Sequence, residues 1–275
     1  MNRPSLHFSK LHGTGNDFVI FDNRKAALSD QQLTELAPRI CNRRTGVGAD
    51  GLIALQSDIS GGSVLEMLYK NPDGSDAGMC GNGARCFAAY AVRLGSPARF
   101  PFRVHNRIYH AKAGPHHVTI EFPLETVVSK QTAGEEAWLN VYTNTEHIVC
   151  QVQADELEQE QNLVTRGRQL RNHPDFQPLG TNVNFISGID AEQLKLQTYE
   201  RGVEDLTPAC GTGAIASALS WHHLQQAGEG EFLYTIHTRG GELKVYFSFC
   251  AERELYHHIR LEGAALFVFE GDYYY

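Results

Sequence analysis

A chain of 275 residues with 42% hydrophobic content is long enough for one large domain or two of ordinary size, and two lobes are the better expectation. A formal net charge of −8 argues against nucleic acid or an anionic membrane as partner, since both demand clustered Lys and Arg. Six cysteines are too few for a disulfide scaffold at this length, and neither Met1–Lys10 nor any later segment carries an apolar run of secretory or membrane-spanning length; a cytoplasmic protein with free thiols is the expectation.

In chain order, His12-Gly13-Thr14-Gly15-Asn16-Asp17 reads as a polar turn, followed by a strand over Phe18–Phe21 with Asn16 at its mouth. Ser29 caps a helix with Leu33, Leu36 and Ile40 at helical spacing, leading to Cys41, which reads as packing. Arg43–Gly51 is a glycine-punctuated loop that releases into a strand at Leu52–Leu55, and it lacks the full phosphate-loop and dinucleotide patterns. Val64–Tyr69 is a strand, and the turn Asn71-Pro72-Asp73-Gly74-Ser75 delivers the chain to Cys80 and a helix over 81–94.

Short alternating runs from Phe100 to Phe122 predict antiparallel hairpins, and Pro123–Gly134 reads as a lobe boundary. Then come strands at Trp138–Val141 and Thr145–Cys150, a polar helix over Ala154–Leu170, and a glycine and asparagine turn, Gly180-Thr181-Asn182-Val183-Asn184, entering another strand. A strand at Leu196–Tyr199 leads through Glu200-Arg201-Gly202 to Cys210 and a helix over Thr212–Gln225. Strands at Phe232–His237 and Leu243–Phe249 flank a Gly240-Gly241 turn, followed by Leu255–Leu261 and a last strand from Gly263 to Gly271. Pieces of the first half recur in the second. The fold class expected is therefore α+β: two pseudo-symmetric lobes, each a mainly antiparallel sheet around a central helix, with the active site in the cleft between them. The lobes are drawn as residues 1–126 plus 264–275, carrying Cys80, and 127–263, carrying Cys210.

The chemistry concentrates in two stretches, Cys80-Gly81-Asn82-Gly83-Ala84 and Cys210-Gly211-Thr212-Gly213-Ala214, each opening a helix. Glycines let backbone approach a ligand, and the free N–H groups of a helix N-terminus suit a carboxylate and favour a thiolate. Two such thiols could move a proton across a stereocentre, one thiolate removing the α-hydrogen and the other thiol returning a proton, with no pyridoxal cofactor or metal required. The plainer reading is two helix caps in which cysteine packs; a third is a redox disulfide, though neither cysteine sits in a Cys-x-x-Cys unit. The adjacent pairs His116-His117, His222-His223 and His257-His258 would point to opposite faces of strands, so no metal site is expected. Cys86 would lie inside its helix, and Cys150 and Cys250 would pack in strands.

With these motifs, His12–Phe18, Gly46–Gly51, Asn71–Ser75, Cys80–Cys86, Gly180–Phe185, Tyr199–Gly202 and Ala209–Ala214, the chain resembles the diaminopimelate epimerases, a cofactor-independent family of two-cysteine epimerases and racemases. The resemblance implies interconversion of LL- and meso-diaminopimelate in lysine and peptidoglycan precursor biosynthesis, with Cys80 and Cys210 as the acid–base pair supported by His147 and Glu200. It also implies that Asn16, Gly81, Asn82, Gly211 and Thr212 hold the reacting amino-acid end. Asn71, Asn182 and Arg201 would then bind the distal carboxylate, with Glu200 near the amino groups and a homodimer as the assembly. Thr145-Glu146-His147 stands where the family usually has Asn-Pro-His, and Leu206 stands where a glutamate is often found. Those departures keep open a related racemase for a different amino acid, a basic one included; a separate reading, of a different class, is a thiol-based binding or redox protein.

Overall fold

A computed structural model describes residues 5–57, 64–133 and 136–275; Met1–Pro4 and Gly134, which the sequence reading also covers, lie outside these. The chain forms two compact units, Met1–Glu121 with Gly263–Tyr275, and Phe122–Glu262.

The first unit runs β1 (Ser5–Gly13), β2 (Asn16–Asp22), α1 (Asn23–Ala26), α2 (Asp30–Ile40), β3 (Gly51–Ser57), β4 (Leu65–Lys70), α3 (Gly81–Arg93), β5 (Arg99–Val104), β6 (Arg107–Ala113) and β7 (His117–Glu121). β1 pairs antiparallel with β2, β2 parallel with β3, β3 antiparallel with β4, β4 parallel with β5, and β5–β6–β7 antiparallel. Parallel neighbours fall where a helix makes the crossover, α2 for the first pair and α3 for the second, because a hairpin cannot join parallel strands. α2 begins with a complete capping box between Ser29 and Gln32 and buries Leu33, Leu36, Ala37 and Ile40.

The second unit contains β8 (Val128–Ala133), β9 (Glu136–Tyr142), β10 (Glu146–Gln151), α4 (Glu160–Arg171), β11 (Asn182–Gly188), β12 (Gln193–Glu200), β13 (Asp205–Thr207), α5 (Gly211–Leu224), β14 (Gly230–Thr238), β15 (Gly241–Cys250) and β16 (Leu255–Ala264). From β9 to β15 the pairing repeats the first unit: β9–β10 antiparallel, β10–β11 parallel, β11–β12 antiparallel, β12–β14 parallel, β14–β15 antiparallel. α4 and α5 occupy the crossovers that α2 and α3 occupy in the first unit. The chain ends as β17 (Leu266–Tyr274), antiparallel to β1. In each unit one helix packs across the sheet: α3 on β1, β2, β3, β6 and β7, and α5 on β8 to β12, β14 and β15.

Several elements depart from the sequence reading. His12 and Gly13 belong to β1, with the turn confined to Thr14-Gly15, where Thr14 takes a positive φ. The polar helix begins at Glu160, after a short 3₁₀ turn at Glu156–Glu158, and the segment read as a boundary contains β8. The final run divides at Ala265 into β16 and β17. His222-His223 lies on α5 and so cannot follow strand alternation. His257 and His258 sit on β16, yet their rings meet at 4.4 Å because His258 has a φ of 52°, which breaks the alternation.

Candidate active site

Cys80 and Cys210 are the N-cap residues of α3 and α5, with nearly superimposable backbones: φ −114° and ψ 116° for Cys80, φ −117° and ψ 114° for Cys210. The extended cap conformation followed by glycine leaves the first N–H groups of each helix unclaimed by the helix itself. The Gly83 N–H donates to the Cys80 sulfur at 3.4 Å.

Around Cys80 two carboxamides are held in defined orientations. Asn16 donates through Nδ2 to the Asp50 carboxylate at 2.7 Å, which turns its Oδ1 toward the Cys80 thiol at 3.7 Å and Asn82 Nδ2 at 3.4 Å. Asn82 is held through its own oxygen, which accepts from Arg85 Nη2 at 2.8 Å. Behind Asn16 stands a charge cluster. Arg43 bridges Asp17 and Asp50 at 2.8 and 2.6 Å, and buried Lys10 pairs with Asp17 at 2.7 Å and also reaches the Gly48 carbonyl. Burial alone would raise the Asp17 carboxyl, but hydrogen bonds from Arg43 and Lys10 hold it well below the usual carboxylate range. Asn71 is tied into its own turn, donating to Ser75 Oγ at 3.0 Å.

In the second unit, His147 on β10 is fully enclosed. Asn184 Nδ2 donates to the Ile148 carbonyl at 2.9 Å and Asn184 Oδ1 accepts from Thr198 Oγ1 at 2.9 Å, so the second amide hydrogen serves His147 Nδ1 at 3.0 Å. That leaves Nε2–H to donate to Thr212 Oγ1 at 3.0 Å, and the Thr212 hydroxyl hydrogen to face the Cys210 sulfur at 3.6 Å. Burial, reinforced by the Arg201 charge, pushes the His147 pKa down to about 3, so the imidazole is neutral at ordinary pH. Thr143 Oγ1 also bonds the Thr212 carbonyl at 3.2 Å.

A second cluster in this unit gathers Arg201 and Asn182, two of the three residues expected to meet a distal carboxylate; Asn71, the third, belongs to the other unit. Arg201 donates to Thr145 Oγ1 at 2.8 Å and the Gly180 carbonyl at 3.3 Å, while its backbone N–H reaches Asn182 Oδ1 at 3.0 Å. Asn182 Nδ2 donates to the Glu146 carbonyl at 3.0 Å. Thr145, the departure from the family pattern, thus serves as an acceptor for the arginine, while the Glu146 side chain is exposed. Glu200 accepts from Thr207 Oγ1 at 2.9 Å, and Leu206, in the short strand β13, packs against the apolar cluster of the second unit that includes Val183, Phe185 and Tyr199. Sequence reasoning gave no role to Asp50, Arg85, Asn184 or Thr198. The first three lie inside quoted motifs, which was the available signal.

A family model described as diaminopimelate epimerase matches residues 8–123 and again 139–254, once over each set of repeated strands. The chain belongs to the diaminopimelate epimerase family. Diaminopimelate epimerases of Flavobacterium psychrophilum and Aquifex aeolicus are 36% and 34% identical to it, covering 95% and 97% of this chain and 97% of each relative. Among solved structures, a phenazine biosynthesis protein of the PhzF family from Bacillus anthracis aligns with a TM-score of 0.74 at 14% identity, over 98% of this chain and 99% of that one. A hydroxyproline epimerase from Agrobacterium vitis aligns with a TM-score of 0.67 at 14% identity, over 98% and 92%. At that identity the epimerase family and these neighbours share the fold.

Proposed function

We propose that this protein is a diaminopimelate epimerase, an isomerase interconverting the LL and meso forms in lysine and peptidoglycan precursor biosynthesis. The observation that carries this reading is the pair of cysteine N-caps with matching backbones, in a chain of this family. Cys80 and Cys210 are the acid–base pair. One thiolate takes the Cα proton to become a thiol, the electron pair spreads toward the substrate carboxylate, and the other thiol returns its proton to the opposite face of the carbon. The N–H groups following each cap, at Gly81, Asn82, Gly211 and Thr212, stabilise the charge gathering on that carboxylate. Asn16 and Asn82 supply side-chain polar contacts, and Thr212 couples His147 to Cys210.

Arg201, Asn182 and Thr145, with Asn71, take the distal carboxylate, and Glu200 lies toward the amino groups. The lobes, drawn as 1–126 plus 264–275 and 127–263, each bring one cysteine; a cytoplasmic homodimer is the assembly that the resemblance implies, checked by sedimentation. The reading is tested by incubating purified, reduced protein with LL-diaminopimelate and resolving the stereoisomers by chiral chromatography. Meso product is expected. Turnover of a different amino acid, with diaminopimelate untouched, would overturn the assignment.

A further inference from the structure

Arg85 is a charge for which the mechanism above has no use. It lies in the second turn of α3, fully buried, and donates through Nη2 to Thr14 Oγ1 at 2.6 Å and Asn82 Oδ1 at 2.8 Å. Nη1 reaches the Gly81 carbonyl at 3.2 Å and Nε the Ala264 carbonyl at 3.3 Å. All four acceptors are neutral. A buried guanidinium bound only to neutral acceptors is costly, since a paired carboxylate would ordinarily offset its lost hydration. Burial brings its pKa down to about 10, which still leaves it charged at neutral pH.

The surroundings do not cancel that charge. Behind Asn16, Lys10 and Arg43 face Asp17 and Asp50, cations matched by carboxylates. Asp22 on β2 is paired with Arg24. Cys86 on the same helix has its thiol pushed up to about 12 by burial. Among the described residues, half-buried His12 on β1 and buried Tyr109 on β6 are the remaining titratable groups not exposed on the strands packed against α3, and His105 bonds the Ala77 carbonyl ahead of Cys80. The second unit has no equivalent: the residue at the same place in α5 is Ile215, fully buried, and Thr212, the counterpart of Asn82, is held by the neutral imidazole of His147.

We propose that Arg85 is a positioning residue that locks the Asn82 carboxamide and biases Cys80 toward thiolate, so that the two cysteines rest in unequal protonation states. This rests on the reading of Cys80 and Cys210 as the acid–base pair. The test is alkylation of the full-length, reduced protein with iodoacetamide across a pH series, the labelling of each cysteine being read separately by peptide mass spectrometry. Cys80 is expected to label with a lower pH midpoint than Cys210. Arg85→Gln should raise the Cys80 midpoint by about one pH unit, slowing its labelling about tenfold below that midpoint, and leave Cys210 unmoved. Arg85→Lys should keep the Cys80 midpoint, since the charge remains, while lowering kcat through loss of the guanidinium's shared contact to Asn82 and Thr14.

Equal midpoints in the unmodified protein would overturn the proposal, and that comparison decides the matter if Arg85→Gln does not fold. So would a Gln variant that moves both cysteines alike, the mark of general loosening, or a Lys variant that behaves like Gln. Labelling requires no turnover, so its outcome is independent of whether diaminopimelate is the substrate.

Discussion

The hydroxyl of Thr212 stands between a neutral imidazole and a cysteine sulfur, and the direction of its hydrogen bond follows from Asn184, whose own partners leave His147 Nδ1 only an acceptor's role. His147→Phe removes the donor that orients Thr212. It is expected to lower kcat about tenfold or more, the value of a hydrogen bond worth about 1.5 kcal/mol, with thermal stability measured alongside to separate folding from catalysis. Arg201 offers charge-assisted donors beside Thr145 and Asn182. Arg201→Met should raise KM for diaminopimelate about 10- to 100-fold while changing kcat less, because on the proposed reading it holds the distal carboxylate, a contact made alike in ground and transition states. Steady-state kinetics check this, and a fall in kcat at constant KM would place the arginine elsewhere in the reaction. At this scale the sequence disclosed the cysteines and the glycines around them, since the motif and the helix it opens are contiguous. Asp50, Arg85, Asn184 and Thr198 act through contacts far along the chain or through side-chain direction, neither of which local spacing specifies.

Two glycines of the same motif carry different constraints, which shows what each helix start packs against. A β-carbon on Gly213 would lie 2.4 Å from Asn184 Oδ1 and 3.1 Å from Thr198 Oγ1, inside the network that holds His147. On Gly83 it would meet Ile53 Cδ1 at 3.1 Å, the end of a flexible side chain. Gly213→Ala is therefore expected to cost about 1–3 kcal/mol and to disturb His147. Gly83→Ala should be nearly neutral, with the gain in helix propensity of about 1 kcal/mol offsetting the crowding. Urea unfolding of both variants checks the contrast. Periodicity predicted most strands and both cysteine helices, but it could not show that β2–β3 and β4–β5 are parallel, because pairing direction depends on the helical crossover. The 3₁₀ turn before α4 and the positive φ of His258 escaped as well, because each is a local backbone conformation that side-chain periodicity does not specify.

Across the whole molecule, the repeated alternation of parallel and antiparallel pairs, with helices in the same crossovers, fits duplication of one α+β unit, matched twice by the family model. Acid stability is a property of the entire fold. Burial lowers the pKa of His147 to about 3 and that of His222 in the same direction, so the unfolded chain binds protons that the folded chain refuses. Stability is fully present above about pH 6.5 and declines as pH falls below it, by about 1.4 kcal/mol per pH unit for each such histidine until its folded pKa is reached. A melting temperature that drops from pH 7 to pH 5, with a shallower fall in His222→Phe, is the expected result in scanning calorimetry. The measurement that bears most directly on the proposed chemistry is proton exchange at Cα. In deuterated buffer, the meso-diaminopimelate that the unmodified protein forms from the LL isomer should carry deuterium at the inverted Cα, and neither Cys80→Ala nor Cys210→Ala should form product. Epimerisation without solvent deuterium, or undiminished turnover after loss of either cysteine, would contradict a two-thiol mechanism.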